Sequence, residues 1–90
     1  MSRADADLLA AFDRLPRGTF RARYGGRRWV VTRSALAGGR AEKLVAEAAG
    51  GAGYVSMNLY RLRAGARLVP CEMEAAAARA FVIGAVPEDQ

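Results

Sequence analysis

The stretch TFRARYGGRRWVVT, residues 19–32, holds two alternating runs joined by a glycine pair. Aromatic and β-branched residues at every second position suit strands, and Gly25-Gly26 suits the left-handed backbone of a two-residue hairpin turn. Such a turn allows one register, with Tyr24 opposite Arg27, Ala22 opposite Trp29 and Phe20 opposite Val31. One face then carries Phe20, Ala22, Trp29 and Val31, and the other Arg21, Arg23, Arg28 and Val30. The basic residues of this segment are thereby gathered on one side of a sheet.

Upstream, residues 3–15 predict a helix. Ser2 with Asp5 makes a capping box, Leu8, Phe12 and Leu15 recur at helical spacing, and Pro16 with Gly18 ends the element. Downstream, the glycine-containing loop SALAGG leads to a helix expected over 40–49. Its apolar stripe is Ala41, Leu44, Val45 and Ala48, its wet side holds Lys43 and Glu47 one turn apart, and Gly50-Gly51 stops it. YVSMNLYRLR and ARLVPC predict a second hairpin around Ala64-Gly65, with two- and three-residue loops giving different registers. A last helix is expected over 73–84, with Glu72 and Glu74 at its positive end and Ala77, Ala80, Phe81 and Gly84 as its packing face. The expected fold is therefore a single α+β domain over 1–90. It has a four-stranded antiparallel sheet from two β-hairpins, in the order α-ββα-ββα, with helices packed on one face and a frayed tail over 86–90.

Ninety residues, 52% of them hydrophobic, make one small globular domain. Much of that fraction is alanine, so the core rests on Leu8, Leu9, Phe12, Phe20, Trp29, Val31, Leu44, Val55, Leu59 and Phe81. A partner, or a homodimer, would supplement so thin a core. No apolar run reaches membrane-spanning length, and the polar, acidic MSRADAD start is unlike a signal peptide. With one cysteine and no intramolecular disulfide, the expected location is cytoplasmic.

The net charge of +5 points to an anionic partner. Thirteen of the fourteen basic residues are arginine, and eight arginines lie between Arg14 and Arg40 with no acid among them. An arginine-rich exposed face can serve only to keep a small protein soluble, but solvated faces ordinarily interleave both signs, whereas one without acids suits bidentate recognition of phosphate or carboxylate. The residues expected to bind are Arg21, Arg23 and Arg28, with Arg17 and Arg27 at the edges. Arg61, Arg63 and Arg67 would extend the patch from the second hairpin, and Arg40 would hold an anion as GGR enters a helix. Tyr54 and Tyr60, alternating with Ser56 and Asn58, face one side in a manner similar to base-stacking sheets, although the ribonucleoprotein aromatic motifs are missing.

Catalysis has little to stand on. The chain has no histidine to generate a thiolate at Cys71, and one cysteine with scattered carboxylates is not a metal site. Cys71 is expected to be a buried structural residue. Asp5/Asp7 and Glu72/Glu74 sit at helix starts, where capping and dipole compensation account for them. No cofactor or metal is implied.

The tract AGGRAEKLVAEAAGG, followed by YVSMNLYRL and LVPCEM, resembles a family of small uncharacterised bacterial proteins over residues 18–83. Some of its members carry an automatic methionine sulfoxide reductase label. That reductase's nucleophile motif, a cysteine in a Gly-Cys-Phe-Trp run, is absent: Cys71 sits in Pro-Cys-Glu, with no resolving cysteine. The resemblance implies a similar fold and carries over no catalytic residue.

The reading that follows is a small non-enzymatic protein whose arginine face binds nucleic acid or a nucleoprotein complex. The alternative is a protein-interaction inhibitor with an acidic partner surface, such as a phage-encoded antagonist of a host defence complex of the anti-CRISPR type. A thiol redox enzyme is the least favoured reading.

Overall fold

The computed structural model describes residues 2–88. Helix α1 (Arg3–Asp13) is followed by strands β1 (Gly18–Tyr24), β2 (Arg27–Leu36), β3 (Ala41–Ala48), β4 (Tyr54–Leu62) and β5 (Gly65–Pro70). Helix α2 (Ala75–Gly84) and the two-residue strand β6 (Val86–Pro87) complete the chain. The strands form one antiparallel sheet in the order β5-β4-β3-β2-β1-β6. Strands β1 to β5 run as a meander, and α2 carries the chain back over the sheet so that β6 pairs with the far edge of β1.

The α+β class holds, but the sheet has six strands rather than four and the order α-ββα-ββα is wrong. The segment expected as a helix over 40–49 is β3, one of the two central strands, paired with β2 on one side and β4 on the other. Its alternation sends Glu42, Leu44, Ala46 and Ala48 inward and Lys43, Val45 and Glu47 outward. Lys43 and Glu47 are therefore not neighbours on a helical turn but lie four residues apart along one strand face. The GGR segment enters this strand through a 3-10 turn at Ala37–Gly39, so no helix N-terminus stands behind Arg40 to hold an anion.

The first hairpin has the register its glycine turn demands, including Phe20 opposite Val31, Ala22 opposite Trp29 and Tyr24 opposite Arg27. Gly25 and Gly26 both have positive φ, 61° and 74°, as this turn requires. In the second hairpin Leu62 pairs with Gly65, so the turn is Arg63-Ala64 and Leu59 faces Leu68.

Both helices cover one sheet face. Helix α1 is capped by the Ser2 Oγ, which accepts the Asp5 backbone N–H at 3.1 Å, and it buries Leu8, Ala11 and Phe12. Helix α2 starts two residues later than expected and buries Ala78, Phe81 and Val82; Ala77, Ala80 and Gly84 are exposed. These side chains form one core with Phe20, Trp29, Val31, Leu44, Val55, Met57 and Leu59, and Leu9 packs at its margin. The indole of Trp29 meets Phe81 edge to face at 5.2 Å and donates its Nε1–H to the Tyr24 carbonyl at 3.1 Å. The expected frayed tail is partly ordered. Val86 and Pro87 pair with β1, and the Glu88 N–H donates to the Arg21 carbonyl; Asp89 and Gln90 lie outside the described residues. Among the described residues, no helix is long and apolar enough to cross a membrane.

Candidate functional site

The inward positions of the sheet are consumed by the core and by one buried charge cluster. Arg33 and Glu42, on β2 and β3, have side chains only 4% exposed, and the Arg33 Nε donates to the Glu42 Oε1 at 2.7 Å. The same guanidinium donates through Nη1 to the carbonyls of Phe12 and Leu15, at 3.2 and 2.6 Å, and lies 4.8 Å over the Phe12 ring. It thereby holds the C-terminal end of α1, whose last carbonyls have no intrahelical partner, to the centre of the sheet. Arg61 joins from β4, donating to Asp13 and to the second oxygen of Glu42 at 2.6 and 2.8 Å. Burial alone would push the Glu42 carboxyl up, but hydrogen bonds and charge from Arg33 and Arg61 outweigh it and lower its pKa.

This cluster engages two of the expected binding residues, Arg61 through hydrogen bonds and Arg17, whose side chain stays 73% exposed, only at its margin. Arg61 is turned to the helix side, where Glu42 and Asp13 raise its pKa further, and Arg17 stands 3.6 Å from Glu42. Arg27 is on the helix side as well, its guanidinium 5.4 Å over the Trp29 ring. Arg63 occupies the second hairpin turn, and Arg40 precedes β3 at the end of the sheet, its carbonyl accepting the Arg61 backbone N–H. The nine expected residues do not form one patch.

Arg21, Arg23, Arg28 and Arg67 do share the sheet's other face, which no described element covers. Cross-strand pairing arranges it in rows. Arg23 faces Arg28. Arg21, Val30, Glu47 and Tyr54 form the next row, and Thr19, Thr32, Val45 and Ser56 the one after. Ser34, Lys43, Asn58 and Val69 follow, and Leu36, Ala41, Tyr60 and Arg67 lie beyond them. Lys43 was missed because its segment reads as a helix. Val30 and Tyr54 are conspicuously bare, at 45% and 60% exposure, and the Asn58 Oδ1 is buried without a hydrogen-bond partner.

The face is not free of acids, as the clustering of arginines along the chain had implied. Glu47 lies beside Val30, and the Glu88 carboxylate accepts from the Arg28 Nε at 3.0 Å. Five cations against two carboxylates leave a net +3 among the described residues. Arg23 directly opposite Arg28 is a like-charge pair of the kind that costs sheet stability, relieved on one side by Glu88.

Shallow depressions mark this surface among the described residues. One, of about 320 Å³, is lined by Val30, Thr32, Val45, Glu47, Ala48 and Ala49. Another, of about 390 Å³, is lined by Tyr60, Leu62, Arg67 and Val69. Cys71 is exposed rather than buried: its backbone N–H closes the β4–β5 ladder by donating to the Ser56 carbonyl, while its side chain stands beyond the last strand residue. Among the described residues, no three His, Cys, Asp or Glu side chains converge as a metal site would require. No protein-family model, no curated protein and no solved structure matches this chain.

Proposed function

We propose that the protein is a non-enzymatic binding module for nucleic acid, with the uncovered sheet face as its contact surface. The observation that carries this reading is the convergence of Arg21, Arg23, Arg28, Lys43 and Arg67, from β1, β2, β3 and β5, on the one face the helices leave bare. Arg21 and Arg23 lie two residues apart on one strand face, about 7 Å, and guanidinium groups meet phosphate oxygens in bidentate fashion. The unrelieved side of the Arg23–Arg28 repulsion favours an anion as occupant. A single-cysteine protein of this charge fits a cytoplasmic setting.

Binding of fluorescently labelled oligonucleotides tests the reading through its salt dependence. Arg28 is already engaged by Glu88, so four phosphate contacts remain. They give a log–log slope of about −2.8 on a single strand, or roughly a 50-fold loss of affinity between 50 and 200 mM salt. Oligonucleotide binding that is absent, or indifferent to salt, would refute it and leave the protein-interaction inhibitor, with Val30 and Tyr54 as exposed anchors for a protein surface.

A further inference from the structure

The depression at the β4–β5 edge has a chemistry of its own. Tyr60 and Arg67 are direct cross-strand partners, which sets their Cβ atoms about 5 Å apart. Leu62 and Val69 complete the lining, giving an aromatic ring, a guanidinium plane and two aliphatic walls around about 390 Å³, within the range of small-ligand clefts. On its other flank Tyr60 is paired with the buried Ala41, and the Tyr60 side chain is itself half-buried. The nearest charges on the face are both positive, Arg67 in the same row and Lys43 in the next; Glu47 is six residues further along, about 20 Å away. Tyr54 repeats the aromatic position at that distance on the same strand.

A ring beside a guanidinium on an open sheet offers a flat surface to a π-face and a charge to the phosphate next to it. A base inside a duplex cannot use such a surface, because both of its faces are stacked and only its edges are accessible. Reading edges in a duplex requires a helix or ribbon inserted into a groove, and this face presents neither. We propose that Tyr60, framed by Arg67, Leu62 and Val69, is a stacking subsite for an unpaired nucleobase, which makes single-stranded nucleic acid the ligand of the open face. The subsite rests on the nucleic-acid reading above and adds to it the class of strand. The strand runs diagonally from Arg67 and Lys43 towards Arg21 and Arg23, a span on the order of 25–30 Å set by strand spacing and rise, consistent with a site of several nucleotides.

The test uses fluorescence anisotropy with three probes: a labelled dT 12-mer, a 12-base-pair duplex, and an abasic 12-mer that keeps every phosphate but has no bases. The wild type is expected to prefer the dT 12-mer to both others. Tyr60→Ala should weaken dT binding by about 5- to 150-fold, the usual worth of one stacked base. It should leave the salt slope and the affinity for the abasic strand unchanged, while Tyr60→Phe behaves as wild type and matching melting curves exclude misfolding. Wild-type affinity in Tyr60→Ala, or equal binding of dT and abasic strands by the wild type, overturns the subsite while leaving phosphate binding intact. Failure of the wild type to bind any of the three removes the nucleic-acid reading itself.

Discussion

Replacing Glu42 with alanine strips the Arg33 guanidinium of its closest carboxylate while leaving it buried. Arg33 is 4% exposed and cannot turn to water, Asp13 is 3.6 Å from its Nη2, and Arg61 loses one of two partners. Breaking one half of a buried ion pair costs about 3–5 kcal/mol, mostly the penalty of the charge left behind. A 90-residue domain has about 5–13 kcal/mol in total, so Glu42→Ala should lower Tm by at least about 12 °C. The double variant Arg33→Met/Glu42→Leu removes both charges yet recovers only part of the loss, because the Phe12 and Leu15 carbonyls then lack their donor. Acid should act in the same direction. Glu42 has a folded-state pKa below its ordinary value of 4.5. Its contribution is therefore present in full above that value and disappears as pH falls from there through the lowered folded pKa. The wild type should then lose stability more steeply than Glu42→Ala over that window. Thermal melting at pH 7 measures the first effect and chemical denaturation across pH 5 to 2 the second. A Glu42→Ala protein that melts within about 4 °C of wild type would refute the view that this cluster ties α1 to the sheet.

Trp29→Ala should cost about 3–5 kcal/mol by removing a buried ring that packs on Phe81 and Tyr24; urea unfolding checks this, and an unchanged midpoint would mean that the hairpin faces are inverted. Cys71, being exposed, should react with a thiol reagent in the native protein at close to the rate in urea. Cys71→Ser should shift Tm by no more than about 3 °C, whereas strong protection of the thiol would put it back in the core.

Turn chemistry made the first hairpin legible. A two-residue hairpin turn needs positive φ at both positions, which adjacent glycines adopt without strain, and the pairings from Phe20–Val31 to Tyr24–Arg27 follow from it. The core aromatics and the identity of the open face followed in turn. AEKLVAEA failed because its residues are good helix formers and its apolar positions 41, 44, 45 and 48 make a helical stripe, whereas the strand sends 41 and 45 to one face and 44 and 48 to the other. The period of two is masked at its start, where the inward position is Glu42. That carboxylate faces the core only because Arg33 meets it there, nine residues earlier in sequence, and a local reading treats both as surface charges. Tertiary pairing on both flanks then overrides propensity. The same blind spot hid Lys43, credited Arg61 to the binding patch, and left the face acid-free, since Glu88 reaches Arg28 only after α2 has carried the chain back to β1.

Charge reversal at Arg21 and Arg23 tests the proposed binding of anions at the open face. Both side chains are exposed, and a glutamate at 23 would face Arg28 across the hairpin, so Arg21→Glu/Arg23→Glu should melt at or near the wild-type temperature. Removing two of four phosphate contacts should halve the salt slope on the dT 12-mer from about −2.8 to about −1.4, with a loss of affinity greatest at low salt. A folded double variant that keeps the wild-type affinity and slope would mean that anions do not bind at this face.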